Sequence, residues 1–147
     1  MQTTLQSDLS FDGIGLHSGR PARLTLRPAR ANTGIVFVRT DAAGQGRRLP
    51  ALWNHVEVSP LNTRLTEGDV SVSTIEHLMA ALSGCGVHNA IVEIDGPEVP
   101  IMDGSSAAFV RGIVSTGLTR LSAPLLAIEI LDEVRASHGG AWATLRP

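Results

Sequence analysis

The strongest pattern in this chain is Ser73-Thr74-Ile75-Glu76-His77-Leu78-Met79-Ala80-Ala81-Leu82, in which apolar residues recur with the period of a helix. Positions 75, 78, 79 and 82 place one apolar stripe along a helix, and that stripe predicts the side facing the core. Ser73 followed by Glu76 fits a capping box, while Gly84 and Gly86 supply a stop signal. The stretch therefore predicts a short amphipathic helix.

Glu76 and His77 lie side by side on the first turn of this predicted helix. At about 100° per residue, His77 points away from the apolar stripe and Glu76 lies on its flank. His77 is therefore predicted to lie outside the core. It shares its face with residues that are all small, namely Ser73, Ala80, Ala81 and Gly84. Because small residues let another backbone approach closely, we expect a second packing surface on this His77 face.

The Glu76-His77 pair has two interpretations. Glu76 could serve only as a capping carboxylate and His77 only as a solvent-facing polar residue, since such a dipeptide occurs often. Alternatively, a helix N-terminus keeps an imidazole neutral and free to bind a metal, and keeps a carboxylate ionised and able to accept a proton. Zinc bound by His77 would lower the pKa of its water to roughly 7, and Glu76 could take that proton. The dipeptide alone leaves both interpretations open.

Composition limits the kind of protein and its partners. The chain has 147 residues, 43% of them hydrophobic, which suits one compact domain able to bury a sizeable core. The formal net charge is −2 and no long basic run occurs. Because nucleic-acid binders carry a basic footprint, nucleic acid is an unexpected partner.

Cysteine use and hydropathy indicate the compartment. Cys85 is the lone cysteine, so an intrachain disulfide is impossible and a cytoplasmic setting is the simplest expectation. The first eight residues lack the basic and apolar regions of a signal peptide, and no apolar run approaches the ~20 residues of a membrane span. We expect a cytoplasmic protein with no transmembrane segment.

The order of predicted elements indicates the fold class. Strand-like segments are Leu5–Phe11, Gly13–Gly15, Ala22–Arg27, Ile35–Arg39, Thr63–Leu65, Val70–Val72 and Asn89–Ile94, with a polar loop at Asp41–Arg48. A second helix ends at Gly117, and its apolar positions are Phe109, Val110, Ile113 and Val114. This order predicts an α+β two-layer sandwich, a mostly antiparallel sheet with two helices on one face.

The last part of the chain is expected to be a separate unit. Leu125–Arg135 and Ala141–Arg146 are predicted strands, joined by a glycine-rich turn at Ser137–Gly140. We therefore divide the chain into a domain of residues 1–122 and a strand pair of residues 123–147 that leads to a missing second domain.

Three motifs in series carry a family resemblance. They are Gly13-Ile14-Gly15-Leu16-His17-Ser18-Gly19, Thr74-Ile75-Glu76-His77-Leu78-Met79-Ala80-Ala81-Leu82 and Glu98-Val99-Pro100-Ile101-Met102-Asp103-Gly104-Ser105. In order and spacing, the chain resembles the amino-terminal half of the bacterial UDP-3-O-acyl-N-acetylglucosamine deacetylase family. That family comprises zinc hydrolases of lipid A biosynthesis, and the resemblance covers essentially the whole chain.

The resemblance implies a role for each matching residue. His77 would be a zinc ligand, and Glu76 the general base that activates the metal-bound water against the acetamide of a UDP-linked acylated amino sugar. His17 lies in a segment near the active-site cleft of the family and is a candidate substrate-binding residue. From the residues themselves, Gly13, Gly15 and Gly19 indicate a shaped turn rather than a ligand cradle. Residues 103–105 are expected to turn the chain and cap the second helix.

The chain departs from the family in what it lacks. Full members have a second domain that supplies two further zinc ligands from a His-Lys-x-x-Asp motif, a general acid histidine, an oxyanion-stabilising threonine and the acyl passage. None of these has a match here, whereas a catalytic zinc normally takes three protein ligands. Three explanations are open. In the first, the chain is half of a deacetylase that is inactive alone and docks a missing domain on the His77 face. In the second it is a non-catalytic binding or regulatory relative, and in the third it completes its site with a second chain.

Overall fold

The described part of the chain, residues 1–41, 43 and 45–147 of a computed structural model, forms strands and two helices. The strands are β1 (Thr3–Leu5), β2 (Leu9–Ile14), β3 (Pro21–Pro28), β4 (Ile35–Arg39), β5 (Arg48–Pro50), β6 (Val56–Glu57), β7 (Arg64–Glu67), β8 (Val70–Val72), β9 (Ala90–Ile94), β10 (Leu118–Arg120), β11 (Val134–His138) and β12 (Ala141–Leu145). The helices are α1 (Glu76–Gly84) and α2 (Ala107–Thr116), and a 3-10 turn, Trp53–His55, precedes β6. Residues 42 and 44 of the predicted polar loop lie outside the described residues.

The main sheet has the strand order β2-β3-β9-β4-β5. Neighbouring strands are antiparallel except β4 and β9, which run parallel from the pairing of Ile35 with Ala90. Side chains alternate along β3, so that Leu24 and Leu26 are fully buried while Arg23 is exposed. One face of the sheet therefore provides the apolar surface that the helices cover.

Both helices pack on this core and contact each other. Leu78 and Leu82 of α1 are buried, as the apolar stripe predicts. Phe109 of α2 is fully buried and meets Phe11 of β2 edge to face, with ring centroids 4.9 Å apart. The predicted α+β two-layer architecture is confirmed.

The predicted strand Leu5–Phe11 is instead two strands that belong to different sheets. β1 pairs with β10, whereas β2 pairs with β3. Between them the amide of Gln6 donates to the carbonyl of Gly117, after which the chain leaves the β10 edge. A change of partner therefore interrupts a run that its hydrophobic pattern alone could not divide.

The predicted capping box is wrong. Helix α1 begins at Glu76, and no side chain caps its first turn. Ser73 lies outside the helix in a β-bridge with Glu98, and Thr74 adopts a positive φ of 58°. The His77 face also differs from the prediction, because Ala81 is buried while Ala80 and Gly84 are exposed. The segment before α1 is thus fixed by tertiary contacts and not by a local cap.

The C-terminal strands form a separate hairpin. β11 and β12 pair with each other around Gly139 and Gly140, both at positive φ. The strand predicted over Leu125–Arg135 is wrong up to Glu133, because residues 125–133 find no strand partner in the described part of the chain and β11 begins at Val134. Nearly all residues from 124 onward are exposed. The division at residues 122 and 123 stays a prediction. Neither described helix has the length and apolarity to cross a membrane.

Candidate functional site

The turn that leads into α1 is held in an unusual conformation. Thr74 is buried, and its φ of 58° is a genuine outlier for a β-branched residue. Such a conformation persists only where the surrounding structure determines it, and it is often found at functional sites. Glu76 and His77 begin α1 just after this turn. The direction in which their side chains point therefore depends on the conformation of Thr74.

The carboxylate of Glu76 is anchored through one oxygen. Its Oε2 accepts a hydrogen bond from the backbone N–H of Thr63 at 3.0 Å. Its Oε1 has no hydrogen-bond partner among the described residues. The side chain is half-buried. One oxygen is therefore held in place while the other is available to accept a proton.

The imidazole of His77 is half-buried and lies outside the hydrophobic core. Across the described residues it makes no hydrogen bond or ion pair. Its ring nitrogens are therefore available to a ligand from outside this part of the chain, and imidazole nitrogen is a common zinc ligand.

The described residues do not complete a metal centre. Within residues 1–41, 43 and 45–147, no group of three or more His, Cys, Asp or Glu side chains could hold a metal ion. A catalytic zinc normally takes three protein ligands. The donor set here thus fits one ligand of such a centre, and the others would have to come from elsewhere.

A cleft of about 260 Å³ lies beside this turn. Its lining residues are His17, Ser18, Asn62, Ser73, Pro97 and Glu98. Asn62 immediately precedes the residue that anchors Glu76, and Ser73 precedes the Thr74 turn. The cleft is somewhat smaller than the ~300–1,000 Å³ typical of small-molecule pockets, so it suits one group of a larger ligand.

The segment with His17 forms the shaped turn that its glycines predict. The amide of Gly15 donates to the carbonyl of Arg20 at 2.9 Å, and the amide of Gly19 donates to the carbonyl of Gly15 at 3.0 Å. Gly19 has a positive φ of 63°. The side chain of His17 is exposed at the cleft, which is where a substrate-contacting residue would lie.

Residues 103–105 turn the chain into α2, as predicted. Asp103 Oδ1 accepts the amide and the hydroxyl of Ser105, and Ser105 Oγ accepts the amide of Ala107 at 3.1 Å. Gly104 has a positive φ of 77°. These residues satisfy donors just before α2 and at its first residue, and a structural role for them stays a prediction.

Sequence reasoning missed Glu98. Its side chain is 3% exposed, and its carboxylate accepts the amide of His17 at 2.9 Å, the amide of Ser18 at 2.7 Å and the hydroxyl of Thr74 at 2.9 Å. Burial by itself would raise the pKa of Glu98, but these hydrogen bonds outweigh it and hold the pKa below its ordinary value. A carboxylate within the apolar segment between Pro97 and Pro100 was the available signal.

A second depression, of about 320 Å³, lies on the C-terminal hairpin. It is lined by Ala136, Ser137, His138, Ala141, Trp142 and Ala143. This lining includes no carboxylate and no turn of unusual backbone conformation. The cleft beside α1 is therefore the better candidate for a hydrolytic site.

Comparisons with known proteins match almost the whole chain to one family. A family model described as UDP-3-O-acyl N-acetylglycosamine deacetylase matches residues 2–147. The UDP-3-O-acyl-N-acetylglucosamine deacetylase of Acidithiobacillus ferrooxidans is 47% identical over 146 residues, which are 99% of this chain and 48% of the relative. Proteins of the same name from Citrifermentans bemidjiense and Photobacterium profundum are 49% and 46% identical over the same shares. The chain spans about half the length of the curated relatives it matches.

Proposed function

Because the chain belongs to the UDP-3-O-acyl N-acetylglycosamine deacetylase family, we propose that it supplies Glu76 and His77 to the active site of a zinc-dependent deacetylase. The observation that carries the proposal is the pair itself. One oxygen of Glu76 is anchored by Thr63 and the other is free, beside an imidazole that is not bonded to the described residues. This arrangement suits a general base next to a metal ligand.

In this proposal Glu76 accepts a proton through Oε1. The hydrogen bond from Thr63 to Oε2 fixes the direction of the carboxylate, so that a proton donor beside the pair would meet one defined acceptor. His77 would hold the zinc ion through a ring nitrogen. The ion, when bound, would supply a water of lowered pKa and polarise the substrate carbonyl.

The proposed substrate is a UDP-linked acylated amino sugar, from which the N-acetyl group is removed in lipid A biosynthesis. The names of the similar proteins support this substrate class. His17, at the mouth of the cleft, is the proposed substrate contact. The cleft has room for one group of such a molecule, so the rest would lie on surfaces supplied by another part of the site.

The remaining zinc ligands would come from a second domain or partner chain that docks on the His77 face. The ring of His77 is free to meet them, and Ala80 and Gly84 leave room for a close approach. We propose the cytoplasm as the setting, because the lone cysteine suits a reducing compartment.

Reconstitution tests this function. The chain is assayed for deacetylation alone and after mixing with the part of the Acidithiobacillus ferrooxidans protein that the chain does not match. We expect no turnover by the chain alone and turnover by the mixture. Glu76→Gln should lower the rate of the mixture by about 10²–10⁴-fold, since a positioned general base contributes that much.

Glu57→Gln is the matched control, because Glu57 is exposed on β6, where its carboxylate forms an ion pair with Arg64. It should leave the rate unchanged. An unchanged deacetylation rate of the mixture with Glu76→Gln would contradict the proposal that Glu76 is the general base. Robust deacetylation by the chain alone would contradict the proposal that further zinc ligands come from elsewhere.

A second candidate is a non-catalytic binding or regulatory relative of the deacetylases. It is favoured because the described residues contain no group of three or more His, Cys, Asp or Glu side chains that could hold a metal ion. Binding of a UDP-sugar by His77→Ala separates the two functions. If the mixture shows no turnover and this variant binds the UDP-sugar with unchanged affinity, the result would support the binding module. If the variant loses zinc and turnover together, the result would support the enzyme.

Self-assembly is the remaining arrangement, in which two copies of the chain complete one site. Sedimentation with and without zinc tests it. A zinc-dependent dimer would support this arrangement, and a strictly monomeric chain would exclude it.

A further inference from the structure

The segment 97–101 runs between the two elements that border the cleft. On one side it is bonded to the turn before α1, because the amide of Ser73 donates to Pro97 at 2.9 Å and the amide of Val99 donates to Ser73 at 3.0 Å. On the other side the amide of Ile101 donates to the carbonyl of Ile14 at 3.0 Å. This segment therefore joins the His17 turn to the Glu76-His77 turn.

The carboxylate of Glu98 makes the same connection through its side chain. It accepts from His17 and Ser18 on one side and from Thr74 on the other. A buried carboxylate is stable only when its oxygens are hydrogen-bonded, so losing any of these donors is unfavourable. The backbone and the side chain of one segment thus hold both walls of the cleft.

The glycines of the His17 turn allow this close approach. A Cβ atom on Gly15 would lie 2.5 Å from Glu98 Oε2, and one on Gly13 would lie 2.8 Å from Cβ of Pro100. Real Cβ atoms essentially never come so close, and the backbone of Pro100 has little freedom to move away. The spacing of the two glycines therefore matches the path of the Glu98 segment.

We propose that Glu98 is a positioning residue, which fixes His17 and the Glu76-His77 pair in one geometry by bridging the two turns that carry them. The hydroxyl of Thr74 is its link to the pair, and it stabilises the positive φ that starts α1 in its observed direction. The inference rests on the proposed roles of His17, Glu76 and His77.

Amide hydrogen exchange and ring ¹⁵N chemical shifts of the chain test this role. In Glu98→Gln, one accepting oxygen is replaced by an amino group that cannot accept from His17, Ser18 or Thr74. We expect the His17 and Ser18 amides to exchange about tenfold faster or more. We also expect the Thr63 amide and the His77 ring to shift, because the Glu76-His77 turn is released.

Thr74 provides an independent pair of variants. Thr74→Val removes the hydroxyl but keeps the branched shape, whereas Thr74→Ser keeps the hydroxyl. The valine variant should reproduce the shifts of Thr63 and His77, and the serine variant should match the wild-type protein. A simple packing role for Thr74 would give the opposite order.

Asp95→Asn is the matched control. Asp95 is exposed and does not line the cleft, and its Oδ1 accepts the amide of Arg23 at 2.7 Å. Its loss should accelerate exchange at Arg23 and leave Thr63 and His77 unchanged.

The proposal is overturned if a folded Glu98→Gln or Thr74→Val protein keeps wild-type signals at Thr63 and His77. If these variants do not fold, amide hydrogen exchange of the wild-type protein tests the proposal instead. Unprotected His17 and Ser18 amides would overturn the proposal, and protected ones would support it. These spectra do not depend on turnover, so failure of the deacetylase function would be seen separately in the reconstituted assay.

Discussion

Strand β3 and strand β12 of the C-terminal hairpin share the pattern Ala-x-x-Thr-Leu but have different surroundings. Leu24 and Leu26 of β3 are fully buried, whereas Trp142 and Leu145 of the hairpin are 64% and 60% exposed. β3 has strands on both sides and helices over one face, while β11 and β12 pair only with each other among the described residues. An apolar strand pattern therefore predicts a strand, but burial depends on what the rest of the chain supplies.

Truncating one aromatic side chain in each region should show the largest difference. Phe109→Ala should lower the free energy of unfolding by about 3–5 kcal/mol, since it removes a buried ring that meets Phe11. Trp142→Ala should cost less than about 1 kcal/mol, because the ring is mostly exposed and its main described contact is Arg135. Urea denaturation of both variants measures this. Equal losses would show that the hairpin is as well packed as the core.

Neutralising one carboxylate in each region should give an intermediate difference. Glu98→Gln should cost about 2–3 kcal/mol at neutral pH, because a buried charge loses its hydrogen bonds. Glu133→Gln in the hairpin should have no measurable effect, since Glu133 makes one exposed ion pair with Arg146. Thermal and urea unfolding would measure both.

The Glu98 effect should also depend on pH. Folding lowers the pKa of Glu98, so its ionised form stabilises the fold fully above the pKa of the unfolded state. That stabilisation is lost as the pH falls through the lower folded-state pKa. The difference in unfolding free energy between wild type and Glu98→Gln should therefore shrink in acid. A difference that stays constant from neutral pH into the acid range would argue against an ionised Glu98.

Adding a methyl group to one glycine in each region should give the smallest difference in stability. The two substitutions should also disturb the amide spectrum at different places. Gly15→Ala should cost about 1–2 kcal/mol and disturb the His17 and Ser18 amides, because its Cβ atom would meet Glu98. Gly139→Ala meets no atom within 4 Å but lies at a φ of 54°, so it should weaken only the hairpin turn. Amide spectra would show each response. Changes at His17 in Gly139→Ala would mean that the two regions are coupled.

The architecture could be predicted because period and burial agree. Leu78, Leu82, Phe109 and Ile113 are buried where the helical pattern places them, and Ile35–Arg39 forms a strand with the expected bounds. In these elements, neighbours along the chain determine which side faces the core.

The turn at Thr74 could not be predicted, because its conformation opposes the preference of its own residue. The positive φ of Thr74 is stabilised by a hydrogen bond from its hydroxyl to Glu98. The same carboxylate accepts the amide of His17, which lies 81 positions from Glu98 in sequence. The local capping pattern at Ser73 and Glu76 was misleading for the same reason. Glu76 instead accepts from the amide of Thr63.

The roles of Glu76, His77 and His17 stay predictions. The sequence offered the dipeptide and the motifs, and the structure adds a free carboxylate oxygen, a free imidazole and a neighbouring cleft. The described residues hold no group of three or more His, Cys, Asp or Glu side chains that could bind a metal ion, so no pattern within them could indicate the further ligands that we propose.

The most direct test is the ¹⁵N spectrum of the histidine rings while zinc is added to the chain reconstituted with the part of the Acidithiobacillus ferrooxidans protein that the chain does not match. We predict that, among the histidines of this chain, the ring of His77 alone shifts as a ligand. His55, which pairs with Glu67, serves as the internal reference and should stay unchanged. Stoichiometric zinc binding with no change at His77 would contradict the account.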